Sequence, residues 1–119
     1  MASVTNLRRT HGAGPPVGRH VETLTLDYDV NNTTITADIQ LSGSILDVFF
    51  VVPSLDGTQC TLYFLDEDGD EYYNSGLVDE NQTHHLTPGF SCTGTVTIKI
   101  VTASTQSADR TFKVKIIYA

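Results

Sequence analysis

Five carboxylates crowd into six residues, Asp66-Glu67-Asp68-Gly69-Asp70-Glu71. Alternating Asp supplies hard oxygen ligands, and calcium asks for roughly six to eight of them. The spacing of a calcium loop fails here: Gly69 is the fourth residue from Asp66 rather than the sixth, and no Glu stands at the twelfth. The run reads as a hairpin turn whose charges keep an exposed tip in water, with weak calcium binding as the lesser alternative. His84 and His85 are adjacent. Neighbours on a strand point to opposite faces, so the pair does not suit one metal. One exposed and one half-buried ring is the expectation. Ser, Cys, His and acids all occur, but no nucleophile-elbow motif surrounds any of them. Gly12-Ala13-Gly14 follows no strand and opens no helix, so it fails as a dinucleotide loop. Cys60 and Cys92 fall at apolar-phase strand positions and read as two buried, inert thiols, with a disulfide as the minority reading. Tyr28, Tyr63, Tyr72, Tyr73 and Tyr118 offer sugar-stacking rings, but their phases assign them to packing, and Tyr72-Tyr73 are strand neighbours that build no common platform. These residues predict no catalysis, no cofactor and no essential metal.

The elements that carry these residues divide the chain in two. Residues 1–20 hold Arg8, Arg9 and Arg19 and no acid; the rest holds four cations against fourteen acids. The division is therefore +3 against −10, within a net charge of −7. The run Gly12-Ala13-Gly14-Pro15-Pro16-Val17-Gly18 suits neither a helix interior nor a central strand. Residues 1–20 are expected to form an extended basic arm, and 21–119 one β-domain. In that reading Arg8, Arg9, His11, Pro15, Pro16 and Arg19 are the partner-binding residues. The arginines meet carboxylates on a neighbouring subunit, and the two prolines hold the arm extended. A pI near 4.7 argues against a main surface that grips nucleic acid, leaving at most the arm to touch phosphate. The longest apolar run, 48–53, is far too short for a membrane span. The start of the chain has no apolar core of a signal peptide, so synthesis and folding in a cytoplasm are expected.

From residue 21 the pattern alternates with period two. In 21–30, Leu24, Leu26, Tyr28 and Val30 share one face; in 33–41, Ile35, Ala37, Ile39 and Leu41 do. Asn31-Asn32 between them predicts a hairpin. Residues 45–52 are apolar on both faces apart from Asp47 and read as a central strand covered on both sides. Further strands are expected at 58–65, 71–78, 83–87, 91–102 and 110–118, with Asp68-Gly69 turning a hairpin. The core is predicted to be lined by Leu24, Leu26, Ile35, Ile39, Leu62, Phe64, Val96, Ile98, Phe112 and Val114. About eight short strands without a helical period make an all-β antiparallel sandwich, Ig-like or jelly-roll. The Cys…Trp…Cys core of a true immunoglobulin domain is absent, because the chain has no Trp.

The stretch Leu62-Tyr63-Phe64-Leu65-Asp66-Glu67-Asp68-Gly69-Asp70, the end Thr95-Val96-Thr97-Ile98-Lys99-Ile100 and the segment Gln106-Ser107-Ala108-Asp109-Arg110-Thr111-Phe112 resemble small structural proteins of tailed bacteriophage virions. Such proteins are short Thr-rich β-sandwiches, many with an extended terminal arm. The resemblance implies a virion location, with assembly in the host cytoplasm. It also implies a place on the capsid or tail, capsid decoration first, and the major capsid protein or other virion subunits as partners, the protein itself being oligomeric on the particle. It transfers no functional residue. The alternatives are a carbohydrate- or cell-surface-binding sandwich module and a tail or head–tail junction subunit.

Overall fold

The computed structural model describes residues 6–14, 19–28 and 33–119, with side chains for 19–27 and 33–119. Among these are eleven strands and no helix. They are β1 (Asn6–Gly14), β2 (Arg19–Tyr28), β3 (Thr34–Gln40), β4 (Gly43–Val52), β5 (Gln59–Leu65), β6 (Glu71–Asn74), β7 (Val78–Asp79), β8 (Gln82–Leu86), β9 (Phe90–Cys92), β10 (Thr95–Thr102) and β11 (Arg110–Tyr118). One sheet runs β1-β2-β11-β4-β8, with β9 also on β4; the other runs β3-β10-β5-β6, with β7 also on β5. Every pairing is antiparallel.

Setting aside the short strands β7 and β9 and the extra edge strand β1 leaves eight. In chain order they fall to the first sheet, second, first, second, second, first, second and first. With spatial orders β2-β11-β4-β8 and β3-β10-β5-β6 this is the jelly roll. The all-β antiparallel sandwich read from the sequence is therefore the observed fold, and connectivity selects the jelly-roll form of it.

The period-two pattern translates directly into burial. Strand β10 alternates half-buried and buried along its whole length, and β11 alternates over most of its own. All ten predicted core residues are buried, joined by Ile45, Val48, Phe50, Val52, Leu55, Cys60, Ile100 and Ile116 among others. Phe112 on β11 stacks on Phe50 of β4 with ring centroids 5.9 Å apart. Phe64 on β5 packs at a tilt against Phe90, 5.5 Å away, and Tyr73, 6.4 Å away.

Five expectations about elements need correction. Segments 21–30 and 33–41 do not form a hairpin. β2 lies in the first sheet between β1 and β11, while β3 lies in the second against β10. Both strands have one apolar face, and facing each other across the sandwich buries those faces as well as pairing would; Asn31-Asn32 lies outside the described residues. The basic segment is not wholly irregular either. Residues 6–14 pair with β2 from Asn6↔Asp27 to Gly14↔Arg19, so β1 belongs to the sheet, and β2 begins at Arg19 rather than 21. Pro15 and Pro16 fall outside the described residues. Strand β4 is central in its sheet but covered on one side only. Val48, Phe50 and Val52 face the core, whereas Asp47, Phe49 and Val51 face outward. A register shift opposite Ile117/Tyr118, where Asp47 and Ile45 pair in turn, resets the phase and lets Ile45 point inward too. The reading of 91–102 as one strand fails at Gly94, whose φ of 92° suits Gly and breaks the run into β9 and β10. Likewise 71–78 splits into β6 and β7 around Gly76 (φ 69°).

Cys60 and Cys92 are buried free thiols. Burial pushes the Cys60 thiol up to about 12, and burial raises Cys92 as well, whose Sγ lies 3.5 Å from the Leu41 carbonyl. The thiolate is the reactive form, so neither should react with a disulfide reagent in the native state. Labelling followed at pH 8 should proceed only as fast as the sandwich opens and should become immediate in denaturant.

Candidate functional site

The distribution of charge along the chain is uneven, and the fold makes it spatial. Residues 20–98 contain no Lys or Arg; the seven cations are Arg8, Arg9, Arg19, Lys99, Arg110, Lys113 and Lys115. Three belong to the N-terminal segment and three to β11, and the topology sets β1, β2 and β11 side by side. Chain ends that lie far apart in sequence thus build one basic edge of the first sheet.

Register aligns residues across that sheet. Arg8 stands opposite Thr25, Thr25 opposite Lys113, Lys113 opposite Val51, and Val51 opposite Thr83. The next row is Thr10, Thr23, Lys115, Phe49 and His85. Residues directly opposite share a face, so Lys113, Val51 and Thr83 and, in the next row, Thr23, Lys115, Phe49 and His85 lie on the outer surface of the sheet. Lys113 and Lys115 are both exposed on it. His85 stacks on Phe49 at 4.6 Å with planes 7° apart, and Lys115 Nζ sits 5.8 Å from the other ring centre. The Asp47 carboxylate is 2.8 Å from His85 Nε2. Val51 is 36 % exposed beside them.

The predicted partner-binding residues are thus placed as follows. Arg8, Arg9 and His11 are on β1, opposite Thr25, Leu24 and Glu22. Arg19 opens β2. The sequence reading missed Lys113, Lys115, Phe49 and His85 as members of the same surface, because strand pairing brings them together and no linear motif does.

Acids concentrate in the middle of the chain. Residues 56–80 contain eight acids and no cation. Some have structural work. The Asp66 Oδ1 accepts the amides of Asp68 and Asp70, each at 2.9 Å, closing the tip of the β5–β6 hairpin. Glu67 reaches the Thr95 amide at 3.3 Å. Glu80 accepts the amides of Leu55 and Gly57 and ties the β7–β8 turn to the loop after β4. Asp68, Asp70 and Glu71 are exposed and make no side-chain hydrogen bond or ion pair among the described residues. The tip therefore spends its best-placed carboxylate on the backbone rather than holding it for a cation.

Asp56 holds the long loop between β10 and β11. Its carboxylate accepts the Ser107 amide at 2.7 Å, the Ser107 hydroxyl at 3.0 Å and the Arg110 guanidinium at 2.6 Å. The Ser107 amide and hydroxyl, then Arg110, hold the Asp56 carboxyl below its ordinary range. A carboxyl depressed in the folded state contributes stability above its unfolded pKa and loses it as pH falls through the folded one. Thermal unfolding of the native chain should therefore become easier below about pH 4. Asp56→Asn should lose stability at pH 7 and show a shallower fall between pH 5 and pH 2.

The tyrosines and histidines whose side chains are described are occupied. Tyr72 stacks on Phe90 at 4.9 Å, Tyr73 packs on Phe64, Lys99 covers Tyr63 at 5.4 Å, and Tyr118 is buried with its hydroxyl 3.3 Å from Glu22. The Tyr28 side chain is not among those described. His84, half-buried, donates to the Asp79 carbonyl at 2.7 Å, while the exposed His85 points to Asp47 on the other face. Alternation along β8 thus turns the two rings away from each other.

No family model and no curated protein matches the chain. Among solved structures it is similar to TmCBM61, determined in complex with beta-1,4-galactotriose. Identity there is 12 %, over 98 % of this chain and 88 % of that one, with a TM-score of 0.49. It is also similar to the infectious bursal disease virus VP2 subviral particle protein, at 11 % identity over 95 % of this chain and 37 % of that one, with a TM-score of 0.39. For the T=1 particles derived from that virus the values are 12 %, 90 %, 35 % and 0.35. The chain spans little more than a third of these viral chains. The architecture that pairing and register define is an all-β, antiparallel jelly-roll sandwich.

Proposed function

We propose that this protein is a non-enzymatic virion structural subunit, of the capsid decoration or cement kind, which docks on the major capsid protein or other virion subunits through its basic sheet edge. The observation that carries the reading is the gathering of Arg8, Arg9, Arg19, Lys113 and Lys115 onto three adjacent strands of an otherwise acidic domain. Among the described residues β1 ends its sheet, so one side of its ladder carries no strand there. An open ladder is a template for another chain, and charge on it discourages indiscriminate pairing while favouring an acidic partner. Jelly rolls serve in both capsids and lectins, so the fold alone does not choose. The pairing of Tyr63, Tyr72 and Tyr73 with internal partners weighs against a sugar platform built from them.

The role proposed for β1 replaces that of an arm reaching away from its domain. Arg8, Arg9 and His11 on β1 and Arg19 at the start of β2 keep the docking role, now as members of the sheet's edge strand and its neighbour. An antibody against the protein should decorate the surface of particles purified from the cells that produce it. The triple variant R8E/R9E/R19E should fold, yet fail to rebind particles from which the wild-type protein has been removed. Equal rebinding would sink the basic edge as the docking element. Labelling confined to one vertex or to tails would move the protein to a junction or tail position. Glycan-array binding without particle labelling would favour the carbohydrate module instead.

A further inference from the structure

The basic edge has a counterpart on the same molecule. Strands β6 and β7 lie along the outside of β5, from Glu71 opposite Leu65 to Asp79 opposite Gln59, and form the edge of the second sheet. This edge, with the hairpin tip before it and the turn after it, carries Asp68, Asp70, Glu71, Asp79 and Glu80. Within it stands Leu77, 63 % exposed, in the loop between β6 and β7. Leu77 and Val51 are the two exposed large apolar side chains among the described residues. One stands among acids. The other lies next to Lys113 in register and beside Phe49 and Lys115.

The acidic tip does not meet Lys113 and Lys115 within one chain, although Glu80, tied to the loop after β4, lies toward the Lys113 end. Lys113, Lys115 and Val51 point outward from the first sheet, whereas Leu77 and the acidic tip belong to the far edge of the second. The tip also lies at the start of β10, where Glu67 reaches Thr95. Lys113 lies near the opposite end of the sandwich, three residues into β11 after the loop that Asp56 holds.

Resting on the reading of the protein as an assembly subunit, we propose that copies of this chain associate head to tail. The acidic edge of one copy, with Leu77 as the apolar anchor, sits on the Val51–Phe49 surface between Lys113 and Lys115 of the next. Opposite charges then ring a small apolar contact, the arrangement in which rim charges set orientation and the buried centre holds the pair. A pair joined this way leaves one surface of each kind free, so the contact is heterologous and builds rings or open chains rather than closed two-fold dimers.

The test uses the full chain and sedimentation across a concentration series. At low salt the mass should rise above the 13.0 kDa monomer with concentration, and 0.5 M salt should reverse it. Variant K113E/K115E and variant D68K/D70K, altered only at exposed positions, should each keep the wild-type circular dichroism and each self-associate at least tenfold more weakly. L77D should do the same. Mixing the two charge-reversed variants should restore association, because each supplies the surface that complements the other's. A chain that stays monomeric at millimolar concentration and low salt overturns the proposal. So does association that persists in both reversed variants, which would point to pairing through the open edge of β1, or a mixture that stays apart. Particle labelling by the antibody is read separately, so a virion protein that does not self-associate is distinguished from a protein that is not on the virion.

Discussion

Phe64→Ala is expected to remove about 3–5 kcal/mol of stability, with Phe112→Ala in the same range. Both rings are fully buried. Phe64 stands between Ile98 on β10 and Tyr73 on β6 in the register of the second sheet, and its ring also meets Phe90, which belongs to the first. Truncation would therefore open a void between the two layers rather than at their margin. Phe112 bridges within the first sheet, opposite Leu26 and stacked on Phe50. Flanking strands are hydrogen-bonded on both sides, so the backbone cannot collapse into the space, and the cavity cost adds to the lost transfer energy. A domain of this size holds about 5–15 kcal/mol in all, so either variant approaches the limit of folding. Urea melts of the full chain measure the effect. Tyr63→Ala, one residue before Phe64 but on the outer face under Lys99, should cost only about 1 kcal/mol. Equal losses at positions 63 and 64 would show that the strand phase is wrong.

Gly43→Ala is the second large effect, expected at about 2–4 kcal/mol. Gly43 opens β4 with φ at 132°, a backbone state that side chains rarely adopt. A Cβ there would lie 2.5 Å from the Ala119 carbonyl oxygen and 3.1 Å from its carbon. Both obstacles are backbone and cannot rotate away. The same carbonyl accepts the Ser44 amide at 2.8 Å, and the Ala119 amide donates to Ser44 at 3.0 Å, so the clash would unlatch the end of the chain from β4. Hydrogen exchange at Ser44 and Ala119 should accelerate by at least tenfold along with the fall in stability. Gly57→Ala is the control: its φ is also positive, at 78°, but nothing lies within 4 Å of an added Cβ. It should cost about 1 kcal/mol, the conformational part alone. A Gly43 variant no worse than the Gly57 variant would mean that the chain end is not held as described.

Much of the molecule was legible in the linear chain because β-structure writes itself with period two. Leu24, Leu26, Ile98, Phe112 and Val114 alternate with Thr, Asp or Lys, and a strand with one solvated face can satisfy such a pattern in only one phase. That local rule determined the all-β class, the inward residues, most strand positions and the β5–β6 hairpin at Asp68-Gly69. It also separated His84 from His85. It says nothing about which strand lies beside which. The apolar faces of 21–30 and 33–41 are equally well buried by pairing or by facing each other across a sandwich, and the tertiary structure takes the second course. Strand order is a long-range matter, decided by which arrangement buries every apolar face and leaves the fewest open ladders. The candidate surface lives at that level. Arg8 and Lys113 are more than a hundred residues apart in sequence and stand in one row only because Thr25 of β2 lies between them. The pairing of β1 was likewise illegible, since Gly12, Gly14 and the prolines argue against a strand locally while the open ladder of β2 accepts one. Composition determined that cations would be scarce and residue order set them toward the two ends of the chain; the jelly-roll connection decided that β1, β2 and β11 would lie side by side.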